Sequence, residues 1–216
     1  MRAIGLFGSG APAHVLCLGA HSDDIEIGCG ATVLRLLHEC PEVRFTWLVL
    51  SASGEREREA RASAAAFLAG AKAAEVYVER FRENHFPWEG SRIKDRLAAL
   101  AREIDPDLVF THWRGDRHQD HRTLADLTWN HFRDHRVLEY EIPKWDGDLG
   151  RPNAYAAVSA ALATRKVELL IEHFESQRNR PWFREDTFRA LLRIRGVECN
   201  APDGFAEAFH AHKLLL

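Results

Sequence analysis

The sequence predicts an α/β fold: a mostly parallel sheet flanked by helices on both faces, in one domain spanning residues 1–216. Three observations carry this. Short apolar, β-branched runs alternate with longer helical ones, the pattern of strands joined by helical crossovers. The strand candidates read as continuous apolar runs, as strands covered on both sides do. The chain has 216 residues, 46% apolar and 28% charged, which fits one globular domain and excludes a disordered chain.

Taken in order, His14–Leu18 (HVLCL) reads as the first strand and Gly28–Cys40 as a helix with Val33, Leu36, Leu37 and Cys40 on one face. Val43–Leu50 reads as a buried second strand. Arg58–Ala69 is Ala-rich and strongly helical. Glu75–Val78 is a short third strand, and Ile93–Ile104 a helix stopped by Asp105-Pro106. Leu108–Thr111 is a fourth strand, Asp120–Phe132 a helix, and Val137–Tyr140 a fifth strand. Asp146–Asn153 (DGDLGRPN) is a turn-rich loop; Ala161–Glu175 and Asp186–Ile194 read as helices. Phe205–Leu216 is expected to close the sheet or cap its edge. This order is Rossmann-like.

Composition excludes several classes of function. Lys+Arg minus Asp+Glu is 29 − 32 = −3, which leaves no electrostatic footprint for nucleic acid or an anionic membrane. A membrane-spanning helix needs about 20 apolar residues, and no run here approaches that. Met1–Gly10 carries one Arg and no long apolar stretch, so no signal peptide is expected. Cys17, Cys29, Cys40 and Cys199 show no C-x-x-C spacing, which fits a reducing, cytoplasmic setting. Twelve His and six Trp remain, and the His cluster.

Two polar clusters follow predicted strands: Gly19–Glu26 (GAHSDDIE) after the first, and Thr111–His121 (THWRGDRHQDH) after the fourth. Ligands in open parallel sheets bind beyond the carboxyl ends of the strands, so both clusters lie at the edge where a site belongs. His21 and Asp24 are three apart, as are His118 and His121, and neither cluster contains Cys. Imidazole and carboxylate without thiolate suit an open, hydrolytic metal site rather than a closed structural one.

Ala20–Glu26 (AHSDDIE) resembles the A-H-P-D-D-x-E motif of the PIG-L/LmbE-like zinc-dependent de-N-acetylases, and His118–His121 (HQDH) resembles their H-x-D-H motif. Ser22 and Gln119 stand where those motifs often have Pro. The resemblance implies Zn²⁺ held by His21, Asp24 and His121, with Fe²⁺ able to use the same ligands. It implies Asp23 as general base toward the attacking water. His118 is expected to stabilise the oxyanion, kept protonated by Asp120. It also implies hydrolysis of an N-acetylated amino sugar or its conjugate. The alternatives are a zinc amidase acting on a non-acetyl amide, and a non-catalytic sugar- or nucleotide-binding module of the same fold. Trp113, Arg114, Arg56, Tyr140 and Glu141 are candidate substrate contacts, since aromatic faces stack on sugars and Arg forks bind hydroxyls or phosphates. Glu26 would orient a ligand or satisfy a backbone group. The expected partner is a small N-acetyl sugar or glycoconjugate, and a homo-oligomer is allowed.

Overall fold

The computed structural model describes residues 12–213. Met1–Gly10, and the end of the Phe205–Leu216 stretch, lie outside the described residues. The elements run β1 (His14–His21), α1 (Asp24–Glu39), β2 (Arg44–Ser51), α2 (Glu55–Phe67), β3 (Ala73–Val78), α3 (Phe86–Glu103), β4 (Leu108–His112), α4 (Gln119–His131) and β5 (Arg136–Tyr140). Then follow β6 (Ala154–Val158), α5 (Ala160–His173), a 3₁₀ turn at Glu175–Gln177, α6 (Glu185–Cys199) and β7 (Phe205–His210).

The seven strands form one sheet in the order β3-β2-β1-β4-β5-β7-β6. Strands β1 to β5 are parallel, and β7 is antiparallel to both its neighbours. The period of two in β1 explains the layering. Val15 and Cys17 point into the core shared with α1, α2, α5 and α6. Leu16 and Leu18 point into the core under α3 and α4. Trp47 and Val49 repeat the first face in β2, and Leu48 and Leu50 the second.

The C-terminal strand differs from the expectation. It neither closes the sheet nor caps an edge: β7 inserts between β5 and β6, and β6 forms the edge. Strand β6 (AYAAV) went unrecognised because three of its five residues are Ala, a weak strand former. Helix α1 begins four residues before Gly28, and α3 seven before Ile93, led in by Phe86-Pro87 with Pro at the start of the helix.

Strands β1 and β4 are neighbours, with Cys17 opposite Phe110, and the chain order reverses between them. Both polar clusters therefore open into one crevice. Asp107 fixes the register from the opposite end, its Oδ2 accepting from the Ala13 and His14 amides at 2.8 and 2.9 Å. Gly28 lets α1 lie directly on β5: a Cβ there would sit 2.1 Å from Tyr140 Cδ2. The close approach is made against an aromatic ring.

Candidate metal centre

Strand β1 runs on to His21, Ser22-Asp23 form the turn, and Asp24 opens α1. The His21 amide donates to Asp24 Oδ2 at 2.6 Å, so that carboxylate caps the turn and is fixed beside the imidazole. Across the crevice, β4 ends at His112 and α4 begins at Gln119, with His118 as its N-cap. Asp120 and His121 then fall in the first buried turn of α4.

The two segments meet. His121 Nε2 lies 3.2 Å from His21 Nδ1. Asp24 Oδ2 lies 3.2 Å from His21 Nδ1, and Asp24 Oδ1 lies 3.6 Å from His121 Nε2. The far nitrogen of each ring is already committed: His21 Nε2 donates to Asp120 Oδ2 at 3.2 Å, and His121 Nδ1 to Asp116 Oδ2 at 2.9 Å. In the neutral rings the inward nitrogens therefore carry lone pairs. Two lone pairs and a carboxylate facing one another demand a positive charge between them. The carboxylate–imidazole arrangement is the one that orients metal-ligating histidines, so the donor set fits a divalent ion.

The titration of the cluster agrees. Burial pulls His21 down, but Asp24 and Asp120 outweigh it and raise the ring to about 10. Burial, with His112 alongside, lowers His121 to about 3. Burial also pushes Asp24 up, yet His121, His112 and His21 hold it well below the usual carboxylate range.

Two other imidazoles crowd this point. Donor atoms of His21, His118 and His121, and likewise of Asp24, His112 and His121, lie within 4.8 Å of one another. His118 Nδ1 already accepts from the Asp120 amide at 3.2 Å, and His112 Nε2 from the Ala20 amide at 3.1 Å. His112 Nε2 also lies 3.2 Å from Asp24 Oδ2, so both further imidazoles are already engaged by neighbours of the cluster.

Asp23 is 4% exposed, and its Oδ2 has no hydrogen-bond partner. Its Oδ1 lies 3.5 Å from Arg56. Burial, then the charge of Asp24, pushes Asp23 up to about 6 against the pull of Arg56. Ser22, where the motif often has Pro, accepts from Arg56 Nε at 3.0 Å and so fixes the guanidinium beside Asp23. Glu26 is fully buried, neither of its oxygens has a partner, and burial raises it to about 8. Ser63 and the backbone amide of Glu26 pull against that push, and no hydrogen bond joins Glu26 to His21 or His121 among the described residues.

Several expectations need correction. Asp120 does not hold a proton on His118. Its carboxylate accepts from His21 and from the Asn84 and Phe86 amides, and burial with the charge of His21 lowers His118. Trp113 stacks on His210, with centroids 4.4 Å apart and planes 8° from parallel. Arg114 is bound to Glu139 and lies over Trp129. Tyr140 is fully buried and donates to the Leu18 carbonyl at 2.6 Å. Glu141 pairs with Arg195 at 2.8 Å. None of these four lines the crevice; Arg56 does.

Asp116 and His112 went unassigned in the sequence. The available signal was position: His112 ends β4, and Asp116 precedes His118 by two in the same polar run. Asp116 orients His121, and burial's upward push on it is overcome by His121 and Lys144. His112 packs flat on His121, at 3.9 Å and 19°.

The stacked His210 provides a pH test. Burial lowers it to about 4, opposed by Glu139, so the fold keeps it neutral while the unfolded chain protonates near 6.5. The unfolded state then binds more protons between those values, so this contribution is complete above about pH 6.5 and is lost as pH falls through 4. We expect His210→Phe, which keeps the stack, to flatten urea-measured stability across this window by on the order of 2 kcal/mol. An unchanged slope would contradict the assignment.

The cleft above these groups has a volume of about 230 Å³ and is walled further by Glu83, Asn84, Lys144, Trp145, Arg180 and Trp182. No helix among the described residues is long and apolar enough to cross a membrane.

The chain matches the family model described as PIG-L, GlcNAc-PI de-N-acetylase, over residues 16–132, more than half its length. It is 27% identical over 174 residues to YaiS of Escherichia coli (strain K12), described as an uncharacterized deacetylase; this covers 74% of the chain and 89% of that protein. It is similar in structure to the N,N'-diacetylchitobiose deacetylase from Pyrococcus horikoshii, with a TM-score of 0.75 at 19% identity, covering 95% of this chain and 85% of that one. It is also similar to the 4-carboxy-2-hydroxymuconate hydratase from Pseudomonas putida KT2440, with a TM-score of 0.73 at 18% identity, covering 94% and 97%. At such identities the structural likeness establishes the fold and not the reaction.

Proposed function

Because this chain belongs to the GlcNAc-PI de-N-acetylase (PIG-L) family, we propose that it is a metal-dependent hydrolase removing the acetyl group from an N-acetylated amino sugar or its conjugate. The observation that carries the reading is the convergence of His21 Nδ1, His121 Nε2 and Asp24 beside a second, unpartnered carboxylate oxygen on Asp23.

In this reading His21, Asp24 and His121 hold Zn²⁺, and Fe²⁺ fits the same nitrogen and oxygen donors. When bound, the ion supplies Lewis acidity and makes a water acidic near neutral pH. Asp23 is the base: it lines the cleft, its buried Oδ2 has no hydrogen-bond partner, and Arg56 holds the other oxygen in place. Asp24 is less suited to that task, because three imidazoles hold it ionised and engaged. His118 accepts the Asp120 amide at Nδ1, so its neutral ring carries the proton on Nε2. It can donate that proton to the developing oxyanion or to the departing amine without being an imidazolium. A binding module would have no use for Asp23's buried, unpaired oxygen, whose desolvation costs stability.

The four cysteines are free and buried, and the reading carries a cytoplasmic setting. The test is release of acetate and free amine in equal amounts from N-acetylglucosamine or its conjugates by zinc-loaded protein. Chelation should abolish it and zinc restore it. No acetate from any N-acetyl sugar, with metal stoichiometrically bound, would overturn the reading.

A further inference from the structure

The loop between β3 and α3 contains a backbone conformation that L-residues rarely adopt. Asn84 has a φ of 62°, in the left-handed region, which Asn tolerates and most other residues with a Cβ disfavour. Asn84 is exposed, and its side chain makes no hydrogen bond among the described residues, so the carboxamide does not hold this conformation. Such a backbone persists only where its surroundings hold it, and it gathers at functional sites. Here the start of α4 holds it. The Asn84 amide donates to Asp120 Oδ2 at 2.6 Å, and the Asn84 carbonyl accepts from the Gln119 side chain. Two residues on, the Phe86 amide donates to Asp120 Oδ1 at 3.1 Å.

One loop thus grips both oxygens of a fully buried carboxylate. The same carboxylate takes the outward nitrogen of His21, with Asp120 Oδ2 3.2 Å from His21 Nε2. Phe86 adds a wall to that ring: it is fully buried, its centroid is 6.1 Å from that of His21, and the planes are tilted by 31°. A carboxylate tied by two amides is fixed in rotation. The His21 ring therefore keeps one orientation, with Nδ1 toward Asp24 and His121. A negative φ at Asn84 would swing its amide relative to all that follows, and the two amides would no longer converge on one carboxylate.

Resting on the reading of His21 as a metal ligand, we propose that Asn84 is a positioning residue for the metal centre. Its left-handed backbone, not its side chain, brings two amides onto Asp120 and through Asp120 fixes His21 for the ion. The cleft wall at Glu83 and Asn84 and the ligand ring beneath it are then mechanically one unit. A residue selected for its carboxamide is replaced poorly by Gly, whereas one selected for its φ is replaced well.

The test compares Asn84→Gly, which keeps the left-handed region open, with Asn84→Val, whose branched side chain disfavours it. Zinc affinity is read by chelator competition, and the His21 Nε2 proton by nuclear magnetic resonance on metal-free protein. We expect zinc affinity near wild type in Asn84→Gly. In Asn84→Val it should be about 10–100-fold weaker, as when a ligand histidine loses its carboxylate partner. Wild type and Asn84→Gly should both show a downfield, slowly exchanging His21 Nε2 proton held by Asp120, and Asn84→Val should lose it. A loop with only a structural role would lower the melting temperature of Asn84→Val without moving that proton or the zinc affinity, and this result would overturn the proposal. An equal loss in Asn84→Gly would also overturn it, by assigning the role to the carboxamide. If Asn84→Val fails to fold, Asn84→Ala, a milder change in the same direction, takes its place. If wild type takes up no zinc, the metal reading fails by itself and the proton decides. Retention in Asn84→Gly with loss in Asn84→Val upholds the grip on His21; the same signal, or none, in all three proteins removes it.

Discussion

Asp23→Asn is expected to lower kcat for acetate release by about 10²–10⁴-fold, the range a positioned general base contributes, while zinc content stays at wild type. The expectation follows from the position of the carboxylate. Asp23 is buried, one of its oxygens has no partner, and the other is 3.5 Å from Arg56. Asn keeps the shape and the contact to Arg56 but cannot accept a proton at the relevant pH. The metal set is untouched, because Asp24, not Asp23, faces the two imidazoles. Metal analysis and acetate release on the same preparation separate the two effects. Turnover near wild type would remove Asp23 from the base role.

His121→Ala is expected to lose the metal outright. His121 Nε2 is the inward donor from the second motif, and its other nitrogen is fixed by Asp116 at 2.9 Å. Without it, His21 and Asp24 remain as two ligands on one side of the crevice, short of the three protein ligands a catalytic zinc takes. The orienting carboxylates should act more gently: Asp116→Asn or Asp120→Asn should cost about 10–100-fold in metal affinity, as loss of a ligand's hydrogen-bond partner does. A competition titration against a chromophoric chelator reads the whole series. Stoichiometric, wild-type affinity in His121→Ala would strike it from the ligand set.

Much of this was legible in the sequence because the relevant signals are local. The runs HVLCL and VRFTWLVL carry apolar residues on both faces, as covered strands do. The polar residues directly after β1 and β4 then had to lie at one sheet edge, and the pairing of β1 with β4 brought them together. What stayed hidden depends on tertiary partners. Tyr140 looked available because it ends β5, but only the packing of α1 through Gly28 shows the ring sealed beneath that helix. Trp113 sits in the right loop, yet its face is taken by His210 from β7, almost 100 residues away. Asp120 stands two residues from His118, but α4 turns its carboxylate toward His21. Arg180 and Trp182 lie in the turn between the 3₁₀ segment and α6, where no periodicity marks a cleft wall.

The most direct test of the metal centre is X-ray absorption at the zinc edge on protein loaded with one equivalent of Zn²⁺. Two imidazole nitrogens near 2.0–2.1 Å with oxygen completing the shell, and no sulfur, is the spectrum expected for His21, Asp24 and His121. A sulfur shell near 2.3 Å, or failure to retain one equivalent, would mean that the imidazoles and carboxylate gathered between β1 and β4 are not a zinc site.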